Sequence, residues 1–480
     1  LVAGVCLLSV PAGVVLAVAV TRTDVVGRRM IASALVALLF MPLAVYTGAW
    51  QAGLAGLGHV AGGAVAAWMQ QGLLPAVLIH AAAATPWVAV IVALGLRLVR
   101  PEIEEAALLD APAWRVLMRV TVPRVLPAIA AATAWVALTT AGEMTVTDVF
   151  VVRSYAEEVY TLITLGERPS EVAGQIGPTW ALLAGAVAVG LIICGARVPV
   201  DLPSPGRRSP VFCLGPARLS VSLLIAALMA ILVALPLGAL LYQAGVQARV
   251  TPEGAVRFWS GDTLIKMVAG CPTRYAAEFG WSAAIAGSAA TAALVVSAGL
   301  VWLGRWGGWR RIPLLVAIGA GLAIPGPLVG LAIIAVFNAP GSARLAELYE
   351  RTLLAPTLAQ FVKVLPVAAL ILWFALGSIP RNVLEAAALD GAGPWTRFWQ
   401  IAVPMRRGAF AGAWLAAFAL AVGEIAATKV VLPPGVQTIT AELFGLLHYG
   451  ADDQVAAICL TLAAGMGIPS AVVAGMTRRR

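Results

Sequence analysis

Apolar runs near the length of about 20 residues that a helix needs to cross a bilayer recur along this chain. They fall at 1–20, 30–50, 73–97, 125–148 and 176–196, and again at 219–243, 280–303, 312–337, 353–377, 409–432 and 454–476. The hydrocarbon core offers backbone amides no water, so successive runs of this kind fold as packed helices. The chain is therefore expected to be an all-α polytopic membrane protein with about 11 transmembrane helices. With 61% hydrophobic and only 11% charged residues among 480, it has too little polar surface to cover a water-soluble globule.

Arginines set the direction of the spans. Arg22, Arg28 and Arg29, the segment from Arg97 to Arg124, Arg197 with Arg207, Arg208 and Arg218, Arg305 with Arg310 and Arg311, Arg381 to Arg407, and Arg478 to Arg480 all fall on one side when the spans alternate. The positive-inside rule makes that side cytoplasmic. The net charge of +9 is thus spread over short loops, which reads as topology and gives no nucleic-acid surface. Longer loops at 149–175, 244–279 and 433–453 carry Glu157, Glu158, Glu171, Asp452 and Asp453 and belong outside.

The two halves repeat. Trp114 pairs with Trp395, Pro123 with Pro404 and Glu143 with Glu424 at one constant offset, while Glu105 and Glu385 are one residue out of step. Both copies face the same way, so they are parallel, pseudo-symmetric modules rather than inverted repeats. The sequence divides into a first module at 1–197 with five helices, a cytoplasmic linker at 198–218 rich in Pro and Gly, and a second module of six helices at 219–480. Alternation also requires a counterpart of helix 219–243 ahead of the first module, which would raise the total to 12.

Between spans, each copy carries a charged helix-turn-helix loop. Pro380 can open a helix through Glu385, Ala386, Ala387 and Leu389, because a proline in the first turn loses no hydrogen bond. Asp390 and Gly391 then close it, since glycine adopts positive φ at little cost. Trp395, Phe398, Trp399 and Ala402 form a stripe opposite Arg397 and Gln400; Trp114, Leu117, Met118 and Thr121 repeat it opposite Arg115 and Arg119. Such amphipathic helices suit a groove on a soluble partner or a resting place on lipid headgroups.

The pattern Glu-Ala-Ala, three residues, Gly, nine residues, Ile, one residue, Leu-Pro resembles the cytoplasmic signature of binding-protein-dependent ABC importer permeases. The second copy carries it at Glu385, Ala386, Ala387, Gly391, Ile401 and Pro404, with Val403 in place of Leu. The first has Glu105, Ala106, Ala107, Asp110, Val120, Val122 and Pro123, with Ala111 in place of Gly and a turn one residue shorter. Two fused modules resemble the ferric-iron importers and their thiamine-type relatives. The resemblance implies that each loop docks on an ATPase subunit, that two such ATPases drive alternating access, and that an external or periplasmic solute-binding protein delivers the substrate. It also implies residence in the bacterial inner membrane, a ferric-iron or other small cargo, and ATP-Mg bound by the ATPase, with no cofactor on this chain. No GxxxxGK[ST] loop is present, and none of Lys266, Lys363 and Lys429 follows a glycine.

Glu143 and Glu424 sit in matching spans, where a carboxylate costs about 2.5 to 3.5 kcal/mol on insertion scales and so faces a cavity or a partner. They are candidates for the translocation pathway, with Thr145 and Thr428 beside them. Asp148 and Lys429 occupy equivalent positions and are candidates for an ion pair. A bracing role within neighbouring helices is the competing reading, and an ion- or proton-coupled secondary transporter built on these two carboxylates is the competing function. Pro42, Pro86, Pro325, Pro327 and Pro366 lie inside spans as candidate kinks. His59, His80 and His448 lack metal-ligand spacing, and His448 falls in an external loop. Cys6, Cys194, Cys213, Cys271 and Cys459 show neither disulfide nor zinc spacing.

Overall fold

The structure is a computed structural model. It describes residues 1–61, 71–165, 171, 174, 177–178, 181–182, 185, 211–251, 254–305, 308–339 and 343–478. Most of the expected span at 176–196, Cys194 and most of the 198–218 linker lie outside the described residues. Six described helices are long and apolar enough to cross a membrane: Val2–Arg22, Leu73–Arg97, Ala113–Ala141, Gly215–Gly245, Ala276–Gly304 and Leu354–Gly377. Two further candidates are bent pairs, Arg28–Leu39 with Leu43–Leu54 at 109° and Trp309–Ala323 with Gly326–Phe337 at 111°. That makes six to eight spans among the described residues, against the eleven expected.

The discrepancies have physical causes. Pro42 and Pro325 do more than kink a continuous span: they divide it. Ile324, the residue before Pro325, is extended at φ −76° and ψ 122°, the conformation that the following pyrrolidine ring enforces. Pro327 then lies in the first turn of the next helix, whereas Pro86 and Pro366 are carried inside unbroken helices. The expected spans 125–148 and 409–432 also stop early, at Ala141 and Gly423. Outside the expected helices, Val246–Thr251 and Gly254–Trp259 form an antiparallel hairpin, followed by the helix Gly261–Arg274.

Among the described residues, three helices contain a wide turn directly ahead of a Val-Pro or Leu-Pro step. Leu117–Thr121 precedes Val122-Pro123, Phe398–Ala402 precedes Val403-Pro404, and Ala230–Ala234 precedes Leu235-Pro236. Proline lacks the N–H that would reach back one turn, and its ring crowds the carbonyl there. A local shift to i→i+5 bonding keeps the helix running past it.

Each copy is built on the same three-helix contact. Val2–Arg22 packs on Leu73–Arg97 and both meet Ala113–Ala141; Ala276–Gly304 packs on Leu354–Gly377 and both meet Val403–Gly423. Small residues permit this in a membrane, where close backbone approach replaces the hydrophobic effect between helices. Ala286, Ala289, Ala290 and Ala293 are fully buried. A Cβ on Gly13 would lie 2.5 Å from Val88 Cβ, so only glycine fits there.

The copies share one core. Phe40, Ala44, Val45 and Ala49 of the first pack with Ala417, Ile439, Phe444 and Cys459 of the second. The Gly215–Gly245 helix lies between them, against Leu43–Ala61 on one side and Asp452–Arg478 on the other. Its Ile225 and Leu232 join a cluster with Leu16, Leu35, Trp50 and Leu54. Asp24 anchors its start: one carboxylate oxygen accepts from the Leu214 N–H at 2.9 Å and the other lies 3.6 Å from Arg218 Nε.

Candidate functional site

The two charged loops adopt helix-turn-helix form at Pro101–Asp110 leading into Ala113–Ala141, and at Arg381–Leu389 leading into Pro394–Gly423. Their turns differ as the sequences do. Gly391 takes φ +86°; its N–H donates to Ala388 O at 3.0 Å and that of Ala392 to Ala387 O at 2.9 Å. These two bonds make the glycine-closed helix end that satisfies otherwise orphaned carbonyls. In the first copy Ala111 is instead extended, at φ −146° and ψ 150°, with one bond from its N–H to Ala107 O.

Despite that, the same positions face outward. Glu105, Ala106 and Asp110 are exposed, as are Glu385, Ala386 and Asp390, while Ala107 and Ala387 are half-buried. Leu109 is 87% exposed and Leu389 90%; Trp114 is 64% exposed and Trp395 57%; Met118 and Trp399 complete each apolar trio. Pro123 and Pro404 are exposed one turn further on, and Ile401 is half-buried.

The expected stripes do not form single faces. Phe398, Ala402 and Thr121 are buried, while Trp395, Trp399, Trp114 and Met118 stand outside. Trp395 with Trp399, Trp114 with Met118, and Phe398 with Ala402 are each four residues apart, so the bundle divides the stripe lengthwise into an outer and an inner row. Phe398 becomes an inner anchor, packed on Trp302 at 5.2 Å between ring centroids and edge-on to Trp399 at 5.0 Å.

A residue outside the motif holds the first loop. Glu104 is fully buried and accepts a 2.7 Å hydrogen bond from Thr121 Oγ1. Its other oxygen faces Arg22 Nη2 at 3.3 Å, and the same guanidinium nitrogen donates to Leu96 O at 2.6 Å. Burial pushes the Glu104 carboxyl up from its ordinary value, while the Thr121 bond and the Arg22 and Arg124 charges pull it down. Leu384 fills the matching place in the second loop and is buried without charge. Nearby, burial first and then the Arg397 and Arg381 charges lower the Arg305 guanidinium, which lies 4.4 Å over the Trp302 ring. The sequence marked Glu105 and passed over Glu104; the available signal was an arginine closing one apolar run and an acid beside the motif, both at the cytoplasmic end.

Glu143 and Glu424 lie in breaks between helices rather than inside them. Glu143 accepts from the N–H groups of Thr145 at 2.5 Å and Val146 at 3.1 Å; Glu424 accepts from those of Ala427 at 2.8 Å and Thr428 at 2.9 Å, and from Thr428 Oγ1. Both carboxylates thus cap the turn that follows, the bracing arrangement. Each also has a basic neighbour on the preceding long helix: His80 Nε2 is 3.6 Å from Glu143, and Lys363, which donates to Ile324 O at 2.8 Å, lies within electrostatic reach of Glu424. Glu424 is within the same reach of Glu143, so the structure brings the two copies of this feature together.

The expected Asp148–Lys429 pair does not form. Asp148 pairs with His448 Nε2 at 3.0 Å, and Lys429 sits over the Phe444 ring at 4.1 Å and the Tyr160 ring at 5.5 Å. His448 belongs to the helix Ile439–Tyr449 rather than a solvated loop. Among the described residues, no group of three or more His, Cys, Asp and Glu side chains is placed to hold a metal ion.

The sequence model of the family "Binding-protein-dependent transport system inner membrane component" matches residues 9–201 and again 295–478. The chain belongs to this family. It is a multi-pass inner-membrane permease of an ABC importer, with two copies of the permease module in one polypeptide. This permease is 27% identical over 224 residues to the putrescine transport system permease protein PotI of Escherichia coli (strain K12), covering 44% of the permease and 79% of the relative. It is 28% identical over 142 residues to the putative 2-aminoethylphosphonate transport system permease protein PhnV of Salmonella typhimurium (strain LT2), covering 30% and 52%. A 36-residue stretch is 58% identical to the sn-glycerol-3-phosphate transport system permease protein UgpA of Escherichia coli O157:H7, covering 8% and 12%. The PotI match spans most of that relative but under half of this permease, as expected of one module against two.

Proposed function

We propose that the permease is moved by two ATPase subunits, one on each loop, and passes a small charged solute received from an external binding protein. The observation that carries this is the paired display of Leu109, Trp114 and Met118 and of Leu389, Trp395 and Trp399, each beside an exposed Glu-Ala-Ala segment. Large apolar side chains held outside on a rigid helical corner are a ready docking surface. Small Ala106 and Ala386 let a partner backbone approach, and Glu105 and Glu385 offer it charge. ATP-Mg binds to the ATPase in this reading, and the permease itself performs no hydrolysis.

Glu143 and Glu424, with Thr145 and Thr428, border the solute path at the junction of the copies. The names of the similar permeases speak of an amine, a phosphonate and a phosphate ester, and favour a charged organic solute over ferric iron. Solute selection rests chiefly with the binding protein. The cognate ATPase should copurify with the permease, and Trp395→Ser with Leu389→Ser should release one of its two copies. Ligand identification on the cognate binding protein, with ferric iron and small amines and phosphonates compared directly, settles the cargo. Solute uptake by the permease alone in vesicles, driven by a proton gradient, would replace this reading with the secondary-transporter one.

A further inference from the structure

We infer that Arg22 and Glu104 form a latch that makes the first coupling helix move as one body with the membrane helices of its copy. This positioning role rests on the reading that ATPases seat on the loops, and goes beyond it by assigning residues outside the docking motif. Three elements converge on Glu104. Arg22 closes the Val2–Arg22 helix, Leu96 belongs to the last turn of Leu73–Arg97, and Thr121 leads into Val122–Ala141. Arg22, 1% exposed, holds Leu96 O and Glu104 together, while Glu104, fully buried, holds Thr121.

Pulling the coupling helix away from this end would strand a charge in a dry place, which is far costlier than parting two apolar surfaces. The second copy holds its loop through backbone carbonyls: Arg397 Nη1 lies 3.5 Å from Leu384 O, and Arg406 Nη2 donates to Ser378 O at 2.6 Å. Leu384 takes the acid's place, and Arg305 rests on Trp302. Those bonds end on backbone carbonyls, whereas parting Arg22 from Glu104 leaves a buried carboxylate without its counter-charge. The first loop is therefore tied to the bundle through a buried carboxylate, a tie whose place Leu384 takes in the second.

The test uses the complete importer, permease with ATPase and binding protein, in proteoliposomes, reading solute moved per ATP hydrolysed. Arg22→Gln and Glu104→Gln should each lower that ratio about tenfold, within the usual range of coupling between linked sites. The double variant should be no worse than either single one, and the ATPase should still copurify. Arg22→Met combined with Glu104→Leu and Thr121→Val replaces the buried ion pair and the hydroxyl bonded to it by apolar side chains. It should fold with undiminished thermal stability, since well-packed apolar residues replace a buried pair at no loss, yet remain poorly coupled. A wild-type ratio in that variant overturns the latch, whether or not the single variants fold. Failure of the ATPase to copurify with the wild-type permease would instead remove the docking reading.

Discussion

Gly423 packs directly on Pro42 across the junction of the two copies. A Cβ on Gly423 would lie 3.1 Å from Pro42 Cβ and 3.2 Å from its Cα, and a Cβ on Gly142 would reach Pro325 Cα at 3.7 Å. The glycine ahead of each carboxylate therefore faces the broken span of the other copy. The contact is tight on one side and ordinary on the other. Gly423→Leu should destabilise the permease by about 1 to 3 kcal/mol through overpacking, while Gly142→Ala should be close to neutral. Thermal unfolding in detergent, followed by circular dichroism, measures both.

Gly391 needs its positive φ and Ala111 does not. Gly391→Ala should cost roughly 1 kcal/mol in the same melt, and Ala111→Gly should add no stability, because the first loop ends in extended backbone. Equal effects at the two positions would mean that the turns are the same.

The capping role of Glu424 separates charge from geometry. Glu424→Ala removes the acceptor for two N–H groups and the Thr428 hydroxyl and should cost about 0.5 to 2 kcal/mol. Glu424→Gln keeps one oxygen acceptor and should melt closer to wild type. If Glu424→Gln also transports like wild type, the carboxylate charge has no part in the solute path.

Asp148 and Lys429 should be energetically independent. A double-mutant cycle on Asp148→Asn and Lys429→Met should give coupling near zero, whereas Asp148→Asn with His448→Gln should give about 0.2 to 1 kcal/mol, the usual worth of a partly exposed pair. Lys429→Met alone should lose about 0.5 to 2 kcal/mol of cation–π attraction to Phe444.

Leu389 and Trp395 contribute little to the fold, since their side chains stand mostly outside. Leu389→Ala and Trp395→Ala should leave the melting temperature unchanged and weaken ATPase association by about 2 kcal/mol or more, the signature of an interface anchor. Titration of purified ATPase against the permease in nanodiscs reads this directly.

Uniform apolar runs made most of the fold legible: the expected 73–97, 280–303 and 353–377 became Leu73–Arg97, Ala276–Gly304 and Leu354–Gly377. What the runs concealed were interruptions. Hydropathy is blind to Pro42 and Pro325 turning the chain through more than a right angle, because the residues on both sides stay apolar. The coupling loops were legible because Gly391, Pro380 and the alanines act locally. Glu104 was not, because its burial depends on Arg22 and Leu96, brought to it by helix packing that no local pattern records. Trp395 and Phe398 lie on one stripe of a helical wheel, yet Trp395 stands outside and Phe398 packs on Trp302, a difference set by helix packing and not by local pattern.

The Gly215–Gly245 helix, wedged between Leu43–Ala61 and Asp452–Arg478, bears on how the halves stay joined. These contacts join the halves independently of the peptide connection. Fragments 1–205 and 206–480, coexpressed, are expected to elute as a single species on size exclusion, with the fused gene serving to fix their ratio at one to one.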